Sequence, residues 1–127
     1  MFNLEGYDQV VWFDVDMLVL KNLDNLFNMR NDDKILGCED LVGKSTTKDP
    51  EAHKKHYILQ GGVSVVGKNL LNKKIYNDLI SLLQYAYKYD LYDQSMFAEY
   101  FGNTGTIKHI SPLFNLSRKL LVQHSAN

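Results

Sequence analysis

The segment Gln9-Val10-Val11-Trp12-Phe13-Asp14-Val15-Asp16 constrains this chain more than any other. Four apolar residues, β-branched or aromatic, run directly into two acids. An uninterrupted run of this kind marks a strand buried on both faces, as in a parallel or mixed sheet. Residues i and i+2 of a strand point to the same side, so the alternation predicts that Asp14 and Asp16 leave it together. They stand at the C-terminal end, where open α/β sheets place ligands. Two carboxylates there can hold a hard divalent cation through oxygen. A solvated strand end, or a cap for the following turn, is the competing reading.

Composition narrows the setting. The 127 residues carry 14 Lys+Arg against 15 Asp+Glu, a formal net charge of −1. That length suits one domain with a useful core, and the charge argues against a protein built to coat nucleic acid. The single cysteine, Cys38, excludes a disulfide scaffold. No apolar run reaches the length of a membrane span, and Met1 to Gly6 lack the pattern of a signal peptide. The chain is therefore expected to be soluble and in a reducing compartment, with the cytoplasm as its location.

Further elements follow in order. Asn22 to Phe27 predicts a short helical turn with Leu23, Leu26 and Phe27 inward, and 34–38 a second strand. Residues 39–56 are polar and too long for an ordinary connection, with Asp49-Pro50-Glu51 suited to open a short helix over 50–56. Strand character returns over 57–66 around Gly61-Gly62. A helix is predicted over about 68–88, with Leu71, Ile75, Leu79, Leu82, Leu83 and Ala86 forming one apolar stripe, and another over about 94–101. Residues 107–110 and Leu113-Phe114 read as short strands.

Six features carry weaker signals. The pair Gly61-Gly62 implies close approach of a backbone or positive φ, or else a β-bulge, and the residues alone do not choose. Asp93 directly precedes the predicted helix over 94–101 and suits an N-cap. Gly43-Lys44-Ser45 resembles the end of a P-loop, but Cys38 stands where its first glycine belongs. His53 and His56 lie among lysines and read as a solvated face. Cys38 reads as a buried small residue, and Tyr85, Tyr87, Tyr89 and Tyr92 as packing residues rather than sugar-stacking ones.

Acidic pairs after a buried strand occur in two families. In haloacid-dehalogenase-like phosphatases the first Asp is the nucleophile, and a small residue followed by Thr or Val normally comes after the second. Met17-Leu18 departs from that pattern. The stretch from Tyr7 through Asp14-Val15-Asp16 to Phe27 instead closely resembles the DxD segment of glycosyltransferase family 8, which includes glycogenin and bacterial lipopolysaccharide galactosyl- and glucosyltransferases. Gln60-Gly61-Gly62-Val63 stands where that family has an Asn-Ser/Ala-Gly-Val run. Tyr92-Asp93-Gln94-Ser95 resembles its Asp-Gln motif, and Phe114-Asn115 its later Tyr-Asn pair. Order and approximate spacing agree across residues 7–115.

The resemblance implies an α/β chain with a partial GT-A nucleotide-diphospho-sugar transferase fold, a mixed sheet flanked by helices. It implies retaining, metal-dependent transfer of glucose or galactose from a UDP-sugar to a carbohydrate, glycolipid or protein acceptor. Asp14 and Asp16 would hold Mn²⁺ or Mg²⁺. Gln60, Gly61 and Gly62 would bind the sugar, with Gln in place of the family's usual Asn. Asp93 and Gln94 would be catalytic, Gln94 close to the anomeric carbon. Residues 1–127 are expected to form one partial domain, inactive alone. The family's N-terminal nucleotide-binding unit and its C-terminal His-x-x-Gly-x-x-Lys-Pro-Trp-like segment are not matched, and His124 takes no metal role. Nucleic acid and membrane are not expected partners, and homo-oligomerisation is left open. A Mg-dependent phosphohydrolase and a non-catalytic remnant remain the alternatives.

Overall fold

A computed structural model describes residues 1–39, 59–84 and 92–115. Four strands form one mixed sheet: β1 (Gln9–Phe13), β2 (Ile35–Glu39), β3 (Leu59–Gly67) and β4 (Ile107–His109). Their spatial order is β1-β3-β2-β4. β3 runs antiparallel to both β1 and β2, while β2 and β4 are parallel. The helices are α1 (Asp24–Phe27), α2 (Lys73–Leu83) and α3 (Tyr92–Phe101), with 3-10 turns at Lys68–Leu70, Gly102–Thr104 and Pro112–Phe114.

The sheet carries side chains packed on both faces, but β1 is not the fully buried strand its apolar run predicts: it lies at the end of the strand order, and Trp12 is 42% exposed. On one side Val10, Ile35, Leu59 and Val66 pack with Leu70, Leu71, Leu79, Met96, Phe101 and Phe2. On the other, Val11, Phe13, Leu36, Val63 and Val65 pack with Leu26, Met29, Met17, Ile110 and Phe114. Leu59 and Val66 share a face although one number is odd and the other even. The pairing explains this. Gly37 pairs with Ser64, but Glu39 pairs with Leu59 where an unbroken register would place Gly62. The offset of three is taken up across Gln60-Gly61-Gly62, and an odd offset turns the strand over.

Several boundaries differ from those expected. The helix predicted from 68 opens only at Lys73, because Asn72 caps it: its side chain accepts from the Ile75 amide at 2.9 Å. Glu5 adds a second cap, accepting from the Lys73 amide at 3.0 Å. Leu71 and Leu79 are buried as expected, but Leu83 is exposed. Ala86 lies outside the described residues. Phe27 faces solvent, and only its neighbour Leu26 is fully buried. Pro112-Leu113-Phe114 is a 3-10 turn rather than a strand: Pro112 fixes its φ and Ser111 accepts from the Leu113 amide at 3.3 Å. The predicted helix over 50–56, the P-loop-like Gly43-Lys44-Ser45, His53, His56, Tyr85, Tyr87, Tyr89 and His124 lie outside the described residues. Among the described residues, no helix is long and apolar enough to cross a membrane.

Candidate active site

Asp14 stands where β1 stops being a strand. Its amide still donates to the Gly62 carbonyl at 3.0 Å, extending the ladder by one residue. Its own carbonyl then accepts from the Met17 amide at 3.2 Å, closing a turn over Asp14–Met17. Strand alternation does not put Asp14 and Asp16 on one side as expected, because Asp16 lies inside that turn and not on the strand. The alternation holds one step earlier. Trp12 and Asp14 share a side, and the Trp12 indole Nε1–H donates to Asp14 Oδ1 at 3.0 Å.

The other Asp14 oxygen faces the bulge of β3. A β-carbon on Gly61 would lie 3.8 Å from Asp14 Oδ2 and 3.4 Å from Gln94 Nε2. Gly61 is thus the point where the end of β1, the bulge and the first turn of α3 meet. Beside it lies a cavity of about 200 Å³ lined by Trp12, Leu59, Gly61, Ser64, Gln94 and Phe97. Its walls are mostly apolar, with the Gln94 amide and the buried Ser64 as the polar groups. That combination suits a small ligand held by a few directed hydrogen bonds. Of the sequence readings of the glycine pair, the bulge holds and a close approach holds at Gly62, while neither glycine takes positive φ.

Gly62 is confined on the opposite face. A β-carbon there would meet Asn115 Nδ2 at 2.7 Å, Asn115 Oδ1 at 2.9 Å and Met17 Sδ at 3.1 Å. Asn115 is buried, and among the described residues its Nδ2 has no hydrogen-bond partner. The Cys38 thiol donates to the Ser111 carbonyl at 3.3 Å. Burial pushes its pKa up to about 11, against a smaller lowering by the Asn115 backbone. Cys38 is the inert packing residue the sequence suggests.

The remaining predicted residues are distributed as follows. Asp16 is exposed on the turn, and Gln60 is half-buried in the bulge. Asp93 is not the residue preceding a helix, because α3 starts at Tyr92 and takes it into the first turn. The described residues contain no group of three or more His, Cys, Asp or Glu that could hold a metal ion. Asp14 and Asp16 offer oxygen donors, a set that fits a hard cation completing its shell with water and substrate phosphate. Sequence reasoning missed Trp12 and the packing of Asn115 against Gly62. The Trp12 contact was available, since the i, i+2 rule applied to Asp14 and Asp16 applies equally to Trp12 and Asp14.

This fold is that of a glycosyltransferase. The crystal structure of the glycosyltransferase GlyE from Streptococcus pneumoniae TIGR4 matches with a TM-score of 0.72 over 98% of this chain, at 16% identity. The chain spans 30% of that GlyE chain. The model of glycosyl transferase family 8 matches residues 1–126, and the chain belongs to that family. The expected mixed sheet with flanking helices, a partial GT-A architecture, is the fold observed. No curated protein matches.

Proposed function

We propose that this chain supplies the metal-binding and acceptor-side half of a retaining glycosyltransferase. The reaction moves glucose or galactose from a UDP-sugar to a carbohydrate, glycolipid or protein acceptor. One observation carries the reading: the carboxylate of Asp14 and the amide of Gln94 meet across Gly61, at 3.8 and 3.4 Å from the place its β-carbon would take, beside a cavity of about 200 Å³. A small ligand there meets the neutral Gln94 amide beside walls that include Trp12 and Phe97, with Asp14 next to Gly61.

In this reading Asp14 and Asp16 hold Mn²⁺ or Mg²⁺. The cation supplies Lewis-acid neutralisation of the departing diphosphate. The bulge keeps a bare backbone at Gly61, so the sugar can approach without a side chain in the way. Gln60 hydrogen-bonds sugar hydroxyls from the same bulge. Gln94 is an amide and does not form the glycosyl ester that a carboxylate nucleophile forms in retaining hydrolases. It therefore orients the donor for attack from the face the leaving group vacates, and Asp93, beside it in the first turn of α3, assists from the acceptor side.

The phosphohydrolase alternative needs a second acidic pair at strand ends. Asp32 and Asp33 are engaged elsewhere: Asp32 pairs with Lys68 at 2.8 Å and Asp33 accepts from Asn69 at 2.7 Å.

The test is release of UDP from UDP-glucose and UDP-galactose by the longest natural form of the protein, with and without MnCl₂. Manganese-dependent release that Asp14→Ala and Asp16→Ala each abolish is expected. Release unchanged in Asp16→Ala overturns the metal assignment, and an inverted product anomer seen by NMR overturns retention. Calorimetry that detects no UDP or Mn²⁺ binding would favour a non-catalytic remnant.

A further inference from the structure

We propose that Trp12 is a positioning residue that sets the orientation of the Asp14 carboxylate. The inference rests on the metal-binding reading of Asp14 and adds a residue to it. Three observations carry it. The indole Nε1–H donates to Asp14 Oδ1 at 3.0 Å. The opposite oxygen, Oδ2, is the one near Gly61 and Gln94. The Trp12 backbone is fixed by its pairing with Ser64 across β1 and β3, and its side chain, 42% exposed, lines the same cavity as Gln94 and Phe97.

An aspartate at a strand end has two soft torsions, and its two oxygens are equivalent until something distinguishes them. The indole donor does so. It takes one oxygen by a charge-assisted hydrogen bond and leaves Oδ2 directed toward the bulge. Tryptophan's indole N–H only donates, so the contact favours the ionised carboxylate, whose Oδ1 accepts. A carboxylate fixed in this way loses less freedom when it takes up a cation, as supporting hydrogen bonds do for metal ligands generally.

The chain has one tryptophan, which makes the test direct. Its indole gives a single N–H resonance in a ¹H–¹⁵N spectrum. That resonance is expected to move upfield in Asp14→Ala and to broaden first when MnCl₂ is titrated into the wild-type chain. Manganese affinity, read by loss of the free-ion EPR signal, is expected to weaken about five- to tenfold in Trp12→Phe, the effect of losing one ordinary hydrogen bond. Biosynthetic replacement of the tryptophan by benzothienylalanine keeps the bicyclic shape and removes the N–H, so it should weaken binding equally without disturbing the fold. Fluorotryptophan keeps the N–H and should restore wild-type affinity. An indole resonance unmoved by Asp14→Ala overturns the contact. Manganese affinity lost in Asp14→Ala but unchanged by benzothienylalanine overturns the positioning role and leaves the metal reading standing. Affinity unchanged in Asp14→Ala overturns both.

Discussion

Asn115 occupies the space a side chain at Gly62 would need. Its amide lies 2.7 Å and 2.9 Å from the place a β-carbon would take, and Met17 Sδ lies at 3.1 Å. The half-buried Met17 side chain can give way, but the Asn115 amide is buried and lies nearer. Gly62→Ala is therefore expected to destabilise the protein by about 1–3 kcal/mol, the usual cost of overpacking. Urea denaturation with an unchanged slope would check it.

Gly61 is expected to behave differently. A β-carbon there would sit at 3.4 Å from Gln94 Nε2 and 3.8 Å from Asp14 Oδ2, ordinary contact distances. Gly61→Ala should change stability by less than about 0.5 kcal/mol, as substitutions without a clash usually do. It places a methyl group at the rim of the cavity, so turnover of a UDP-hexose should fall well before stability does. Equal losses of stability in the two alanine variants would contradict this assignment of faces.

The contrast between the two glycines shows where the sequence was legible. The strand β1 and the chemistry of the acids that follow could be read from residue types, but its place at the end of the sheet, with Trp12 exposed, could not, because that depends on which strand pairs with it. The bulge could be suspected from the glycine pair, but not its size. An offset of three depends on how β2 and β3 pair, and β2 lies over twenty residues away in the chain. The position of Asp16 failed for a local reason: the turn Asp14–Met17 ends the alternation one residue too soon. Asp93 moved inside α3 because Tyr92 opens the helix. Leu113-Phe114 has strand-forming residues, yet Pro112 and Ser111 set a 3-10 turn.

Helix α1 offers a test of burial against pattern. Leu26 and Phe27 are both apolar and both predicted inward, but Leu26 is 0% exposed and Phe27 is 50% exposed. Leu26 packs with Leu36, Val63 and Val65 beneath the sheet. Leu26→Ala should cost about 2–5 kcal/mol, the range for large-to-small changes in a core. Phe27→Ala should cost less than about 1 kcal/mol, as for exposed side chains. Thermal and urea unfolding of the two variants would rank them.

Cys38 gives a pH dependence with a fixed sign. The thiol is fully buried and its pKa is raised from an ordinary value near 9 to about 11, chiefly by burial. Between those values the unfolded chain releases the thiol proton while the folded chain keeps it. The unfolded state then binds fewer protons, so stability falls as pH rises. The contribution is complete below about pH 9 and is lost progressively toward pH 11. Cys38→Ser removes that group, so the difference in unfolding free energy between wild type and variant should narrow or reverse across this window. Taking the difference cancels the alkaline titration of Tyr100 and Lys68, whose pKa values are also raised. A thiol reagent such as DTNB should react slowly with the native protein at pH 8 and at full rate in urea. Fast reaction with the native protein, together with a flat difference from pH 9 to 11, would show that Cys38 is not held in the interior beside Ser111.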